Sequence, residues 1–115
     1  MADRVEINPD WPWAKDFRIA QGVKVGDTVY VSGQVGFDSE GHIVGGNDMK
    51  AQAKQTFENI EAVLAEAGAT MEDVVKILAF ITDMDKYPDY AAARSEAFPR
   101  NIPASATVST PVLVN

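Results

Sequence analysis

The chain has 115 residues, of which 46% are hydrophobic and 23% charged, with a net charge of −7 and no cysteine. That length allows one domain, residues 1–115, with one core, and the missing cysteines exclude disulfides, thiolate metal sites and cysteine nucleophiles. The negative field disfavours phosphate backbones and anionic membranes, and no apolar run nears the roughly 20 residues of a spanning helix.

Residues Met1 to Glu6 hold no apolar core of a signal peptide. The expectation is a cytoplasmic protein with no nucleic-acid or membrane partner. Lys15, Arg18 and Lys24 read as scattered surface cations. In chain order, Val5 and Ile7 suggest a short first strand, which Pro9 and Pro12 then break. Ile19, Gln21 and Val23 alternate with Arg18, Ala20, Gly22 and Lys24, which predicts a strand. Gly26-Asp27 is a turn signal, and the β-branched and aromatic run Thr28 to Ser32 completes a hairpin.

A helix follows. Asn47 or Asp48 caps it by accepting from free backbone N–H groups. Met49, Ala53, Phe57, Ile60, Leu64 and Ala67 recur at spacings of three and four and form one apolar stripe. Gly68 stops the helix. Val74 to Ile81 is almost continuously apolar, which predicts a strand covered on both faces. A second helix is expected over 86–98, with Asp85 as its cap and Pro88 in its first turn. Pro99 prevents continuation, and Ala106, Val108 and Val112 mark a last strand. Strands and helices in this order predict an α+β fold, one sheet with two helices on one face.

Few residues announce chemistry. His42 stands alone beside a turn glycine and reads as a surface residue, since zinc needs more ligands than this chain arranges. Asp83 and Asp85 could share acid–base work, yet helix capping accounts for both. Trp11 and Trp13 read as packing for the irregular N-terminal segment. Phosphate-binding loops, zinc-protease motifs and calcium loops do not occur.

Several short segments do recur together in order: Gln21-Gly22-Val23, Val31-Ser32-Gly33-Gln34, Gln55 to Asn59, Ala67-Gly68, Asp73 to Lys76, Thr82-Asp83-Met84, Glu96-Ala97-Phe98 and Pro103-Ala104. In series the chain resembles the RidA/YjgF (L-PSP) family over nearly its whole length. The resemblance implies a chorismate-mutase-like β-α-β fold and a homotrimer with small-molecule ligands in intersubunit clefts. It implies hydrolysis of imines or enamines with no metal or cofactor. Carried over residue by residue, the cleft glycine is Gly33 and the hairpin tyrosine falls on Ile19. The helix asparagine falls at Ala92 and the substrate-clamping arginine at Ser105. A final strand bearing a glutamate would follow Asn115. The expected substrate-binding set is therefore Gly33 and Ser105, with Ile19 and Phe80 as walls, and Arg18 or Arg94 as a relocated anion clamp. Two functions fit: an imine or enamine deaminase of divergent type, or a non-catalytic ligand-binding or interaction trimer.

Overall fold

The first hairpin is set by one side chain outside it. In the computed structural model, which describes residues 3–114, Asn8 Oδ1 accepts the Gln21 backbone N–H at 3.0 Å. That bond ends the ladder between β1 (Arg4–Ile7) and β2 (Gly22–Val25), where Ile7 stands opposite Gly22. Strand β2 thus begins at Gly22, later than the alternation from Arg18 suggests. Its other edge pairs antiparallel with β3 (Thr28–Val31), Val23 opposite Tyr30.

The stretch between β1 and β2 is held by aromatic packing, as the two tryptophans suggested. Trp11 and Trp13 stack with centroids 5.5 Å apart, and Trp13 meets Phe37 edge-on at 4.8 Å. Gly41 lies against Trp13 with φ at +84°, where a Cβ would come within 2.7 Å of the tryptophan. Both conformation and space require glycine there.

Helix α1 (Met49–Glu66) is capped by Asp48, whose carboxylate accepts the Ala51 N–H at 3.1 Å. Gly68 ends the helical segment with φ at +80°. Its buried Asn59 donates to the carbonyls of Val35 and Phe37 at 3.0 and 2.8 Å, tying the long loop after β3 to the helix. The predicted stripe faces inward at Ala53, Phe57 and Leu64.

Strand β4 (Lys76–Ile81) runs parallel to β5 (Ala104–Ser109), with Ile77 beside Ser105 and Phe80 beside Val108. Helix α2 (Tyr87–Ala97) makes the crossover. Asp85 does not cap it. A 3₁₀ turn, Met84–Lys86, intervenes; Asp83 caps that turn, its carboxylate accepting the Asp85 N–H at 3.0 Å, and Lys86 stands at the start of the helix with no side-chain cap bond. The extra turn moves the helix start to Tyr87, with Pro88 in its first turn. Strand β5 also starts earlier than expected, at Ala104, and Val112 lies past its end.

Phe57 of α1 meets Tyr90 and Phe98 at centroid separations of 6.1 and 5.6 Å. Val29 and Val31 of β3 and Ile77, Ala79 and Ile81 of β4 share that core. Both helices thus pack on one side of the strands, in the expected α+β arrangement. The strands hydrogen-bond as two ladders, β1-β2-β3 and β4-β5, rather than as one uninterrupted sheet. What unites the ladders is the common apolar contact with α1. The prediction of a strand covered on both faces holds for one face only: Leu78 and Phe80 of β4 are half exposed on the side away from the helices. Expectations about Met1, Ala2 and any strand beyond Asn115 lie outside the described residues. Among the described residues no helix is long and apolar enough to cross a membrane.

Phe57→Ala removes the ring on which both Tyr90 and Phe98 rest. It should destabilise the chain by about 3–5 kcal/mol, read as a lowered urea midpoint, whereas Lys54→Ala on the exposed face of the same helix should leave the midpoint almost unmoved.

Candidate functional site

Spacing along α2 builds the site. Tyr87, Tyr90 and Arg94 fall at i, i+3 and i+7, which stacks them along one helix face. The Arg94 side chain runs back toward the helix start. Its Nη2 donates to the Tyr87 hydroxyl at 3.1 Å, and its guanidinium carbon lies 5.7 Å from the Tyr87 ring centroid and 5.4 Å from that of Tyr90. Both distances lie within the range of cation–π attraction. The hydrogen bond that the guanidinium donates to Tyr87 holds it even more firmly in its charged form than usual. Burial pushes the Tyr90 phenol above its ordinary value of 10.0, while the Arg94 charge and Thr107 pull the other way. A neutral Tyr90 therefore sits beneath a fixed cation.

This cation opens into a cleft of about 830 Å³. Strand β5 contributes Ser105 and Thr107, two hydroxyls on alternate residues and so on one face of the strand. The segment before β5 adds Ile102 and Pro103 as an apolar rim, and the start of α2 adds Met84, Asp85 and Pro88. The arrangement offers one cation fixed by two aromatic rings, two neutral hydroxyls, one carboxylate and an apolar edge. A ligand with a carboxylate and a small apolar body matches that lining.

Of the residues singled out from the sequence, the structure brings Asp85, Arg94 and Ser105 into this one cleft. The others lie elsewhere on the chain. Ser32 binds back to Gln21 and Ala20 through its backbone and hydroxyl, so Ile19 and Gly33 share the open end of the β2-β3 hairpin. Gly33 is exposed, with open space where a side chain would point, and Arg18 and Ile19 are exposed beside it. Phe80 faces outward from β4. His42 sits on the surface, 3.7 Å from Glu40. Sequence reading passed over Tyr87, Tyr90 and Thr107. The first two were detectable, since a tyrosine seven residues before an arginine on a helix shares its face.

The sequence profile of the family described as Endoribonuclease L-PSP matches residues 16–115. A RutC family protein of Pyrococcus abyssi is 41% identical over 90 residues, 77% of this chain and 70% of that protein. A protein of Dermatophagoides farinae named 2-iminobutanoate/2-iminopropanoate deaminase is 37% identical over 89 residues, 77% of this chain and 70% of its own length. Among solved structures, RidA from an Antarctic Psychrobacter superposes with a TM-score of 0.87 at 38% identity, covering 96% of this chain and 89% of that one. The YjgF gene product of E. coli gives 0.83 at 27% identity, covering 96% and 85%.

The raised Tyr90 phenol has a consequence for stability. A proton held more tightly in the folded state contributes stability that is whole below about pH 10 and is lost as the pH rises from there through the folded-state value. The urea midpoint of the wild-type chain should therefore fall as the pH rises above about 10, and Tyr90→Phe should flatten that fall.

Proposed function

The chain belongs to the Endoribonuclease L-PSP family, which includes the RidA and YjgF proteins, and we propose that it hydrolyses the imine or enamine form of a small metabolite. The observation that carries this reading is the Arg94 guanidinium, locked by Tyr87 and Tyr90 in a cleft it shares with Ser105. Ser105 stands where the family's resemblance places a substrate-clamping arginine. A guanidinium on the neighbouring helix supplies the missing charge from another direction. Arginine suits the task because its planar fork matches a carboxylate with two parallel hydrogen bonds.

The chemistry asked of the site is modest. A 2-imino acid is an electrophile once its nitrogen is protonated. Water adds to the C=N carbon, the π pair moves to nitrogen, and the resulting carbinolamine collapses to a 2-oxo acid with loss of ammonia. The protein has to hold the carboxylate, admit one water and exclude competing nucleophiles. Arg94 holds the carboxylate, and the Ser105 and Thr107 hydroxyls can donate to or accept from the adding water. The name of the Dermatophagoides relative supports this reaction class.

The reading extends to assembly as a homotrimer. Tyr30 of β3, Leu78 and Phe80 of β4 and Val108 of β5 are large, and between 43% and 65% exposed. Such side chains on the helix-free side of the strands favour burial against further copies. Contacts between copies would also carry the hairpin end with Arg18, Ile19 and Gly33 toward another subunit's cleft. A non-catalytic ligand-binding trimer uses the same cleft and the same strand face, because a fixed guanidinium binds a 2-oxo acid as readily as an imino acid. Turnover separates the two.

When 2-iminopropanoate is generated in situ, its decay to ammonia should quicken in the presence of the protein. Arg94→Gln should lower kcat/KM about 10–100-fold, the worth of a charged hydrogen-bonded contact. No acceleration by the wild-type chain would leave the binding trimer as the reading. In sedimentation equilibrium the wild-type chain should run at three chain masses. Phe80→Asp should shift it to one, since a buried charge opposes association.

A further inference from the structure

Asp83 and Asp85 look equivalent in sequence, and the structure separates them. Asp83 spends its carboxylate on the turn before α2, accepting the Asp85 N–H at 3.0 Å. Asp85 has no such duty. Among the described residues its carboxylate takes part in no ion pair and no hydrogen bond, and it lines the cleft that holds Arg94 and Ser105. The other titratable groups of the lining are Tyr87 and Arg94. With their protons in place, neither a phenol nor a guanidinium is basic enough to take a further proton from water. Serine and threonine hydroxyls are too weakly basic to take a proton from water unaided. Among the described lining residues, Asp85 is thus the one group able to accept a proton.

Resting on the imine-hydrolysis reading, we infer that Asp85 is the acid–base residue of the cleft, cycling one proton between the adding water and the departing nitrogen. The iminium carbon takes the water oxygen, the C=N π pair goes to nitrogen, and one water proton goes to the Asp85 carboxylate. Neutral carbinolamine and protonated Asp85 result. Asp85 returns that proton to the amine, so the leaving group is ammonia rather than amide ion. The hydroxyl oxygen then forms C=O as the C–N bond breaks, and its proton passes to Asp85. Transfer of that proton to ammonia gives ammonium and restores the carboxylate. One iminium and one water become one carbonyl and one ammonium, with no oxidant, metal or second substrate.

Location favours this role. Tyr87 lies two residues beyond Asp85 and binds the guanidinium directly, so the substrate's anchor and its base are set by one short segment at the start of α2. The 3₁₀ turn that displaces Asp85 from the helix cap is also what frees its carboxylate.

The test compares wild type, Asp85→Asn, Asp85→Glu and Asp83→Asn as folded proteins with 2-iminopropanoate generated in situ. Asp85→Asn should lower kcat about 10²–10⁴-fold, the usual worth of general acid–base catalysis, with KM within about threefold, because the carboxylate anchor is untouched. Asp85→Glu should recover part of the rate. Asp83→Asn, whose amide oxygen can still accept the Asp85 N–H, should leave both the urea midpoint and kcat largely intact. An active wild type with Asp85→Asn equally active overturns the Asp85 role and leaves the deaminase reading standing. An inactive wild type overturns both. A loss in Asp85→Asn matched by a lowered urea midpoint, with no recovery in Asp85→Glu, assigns Asp85 to structure and also overturns the role.

Discussion

Tyr90 joins the core to the cleft, and much else depends on that contact. Its ring stacks on Phe57, which in turn meets Phe98 in the apolar centre, and the Arg94 guanidinium lies 5.4 Å from its centroid. A core aromatic therefore serves as the floor of a cation site. The coupling has a physical cost on each side. The phenol must stay neutral to remain buried, and the guanidinium must stay charged to be of use. Burial favours the first and the Tyr87 hydroxyl the second. Moving α2 along its axis would disturb the packing with α1 and the aim of Arg94 together.

An acidic chain with a net charge of −7 can still present a local cation, because fixed charges act at short range. Two other arginines, Arg4 and Arg100, engage differently. Arg4 pairs with Glu6, and Arg100 with Glu72, both on exposed surface where such pairs contribute little. Arg94 is held instead by a neutral hydroxyl and two rings. A neutral partner leaves the positive charge uncancelled for an incoming anion. Pairing with a carboxylate would have stabilised the side chain at the expense of that availability.

The strands divide into two hydrogen-bonded ladders that share one helix layer. Adhesion through side chains alone explains why the core is concentrated where α1 and α2 cross above β3 and β4. It also leaves Leu78 and Phe80 outward, against open solvent in a single chain. The almost unbroken apolar run of β4 suggests a strand that buries both faces, and one copy covers only the helix side.

Local rules recovered the elements well. Asp48 capping, the stop at Gly68, the stripe through Phe57 and Leu64, and Pro88 in a first turn are decided by neighbours within a few residues, so composition and spacing reveal them. The α+β class and the family resemblance follow from the same order of segments. Misjudged boundaries fall where a distant partner intervenes. Asn8 takes the Gln21 N–H from thirteen residues away, and β2 starts late as a result. Asp83 and Asp85 could not be told apart, because capping depends on backbone angles that neither residue announces. The cleft was legible only in part. Ser105 and Arg94 were each visible, but their meeting depends on a parallel crossover that lays β5 beside β4 with α2 above. Sequence alone determined which groups this protein possesses. Tertiary structure decided which of them share a space, because contacts across a chain turn on packing that local preference does not encode.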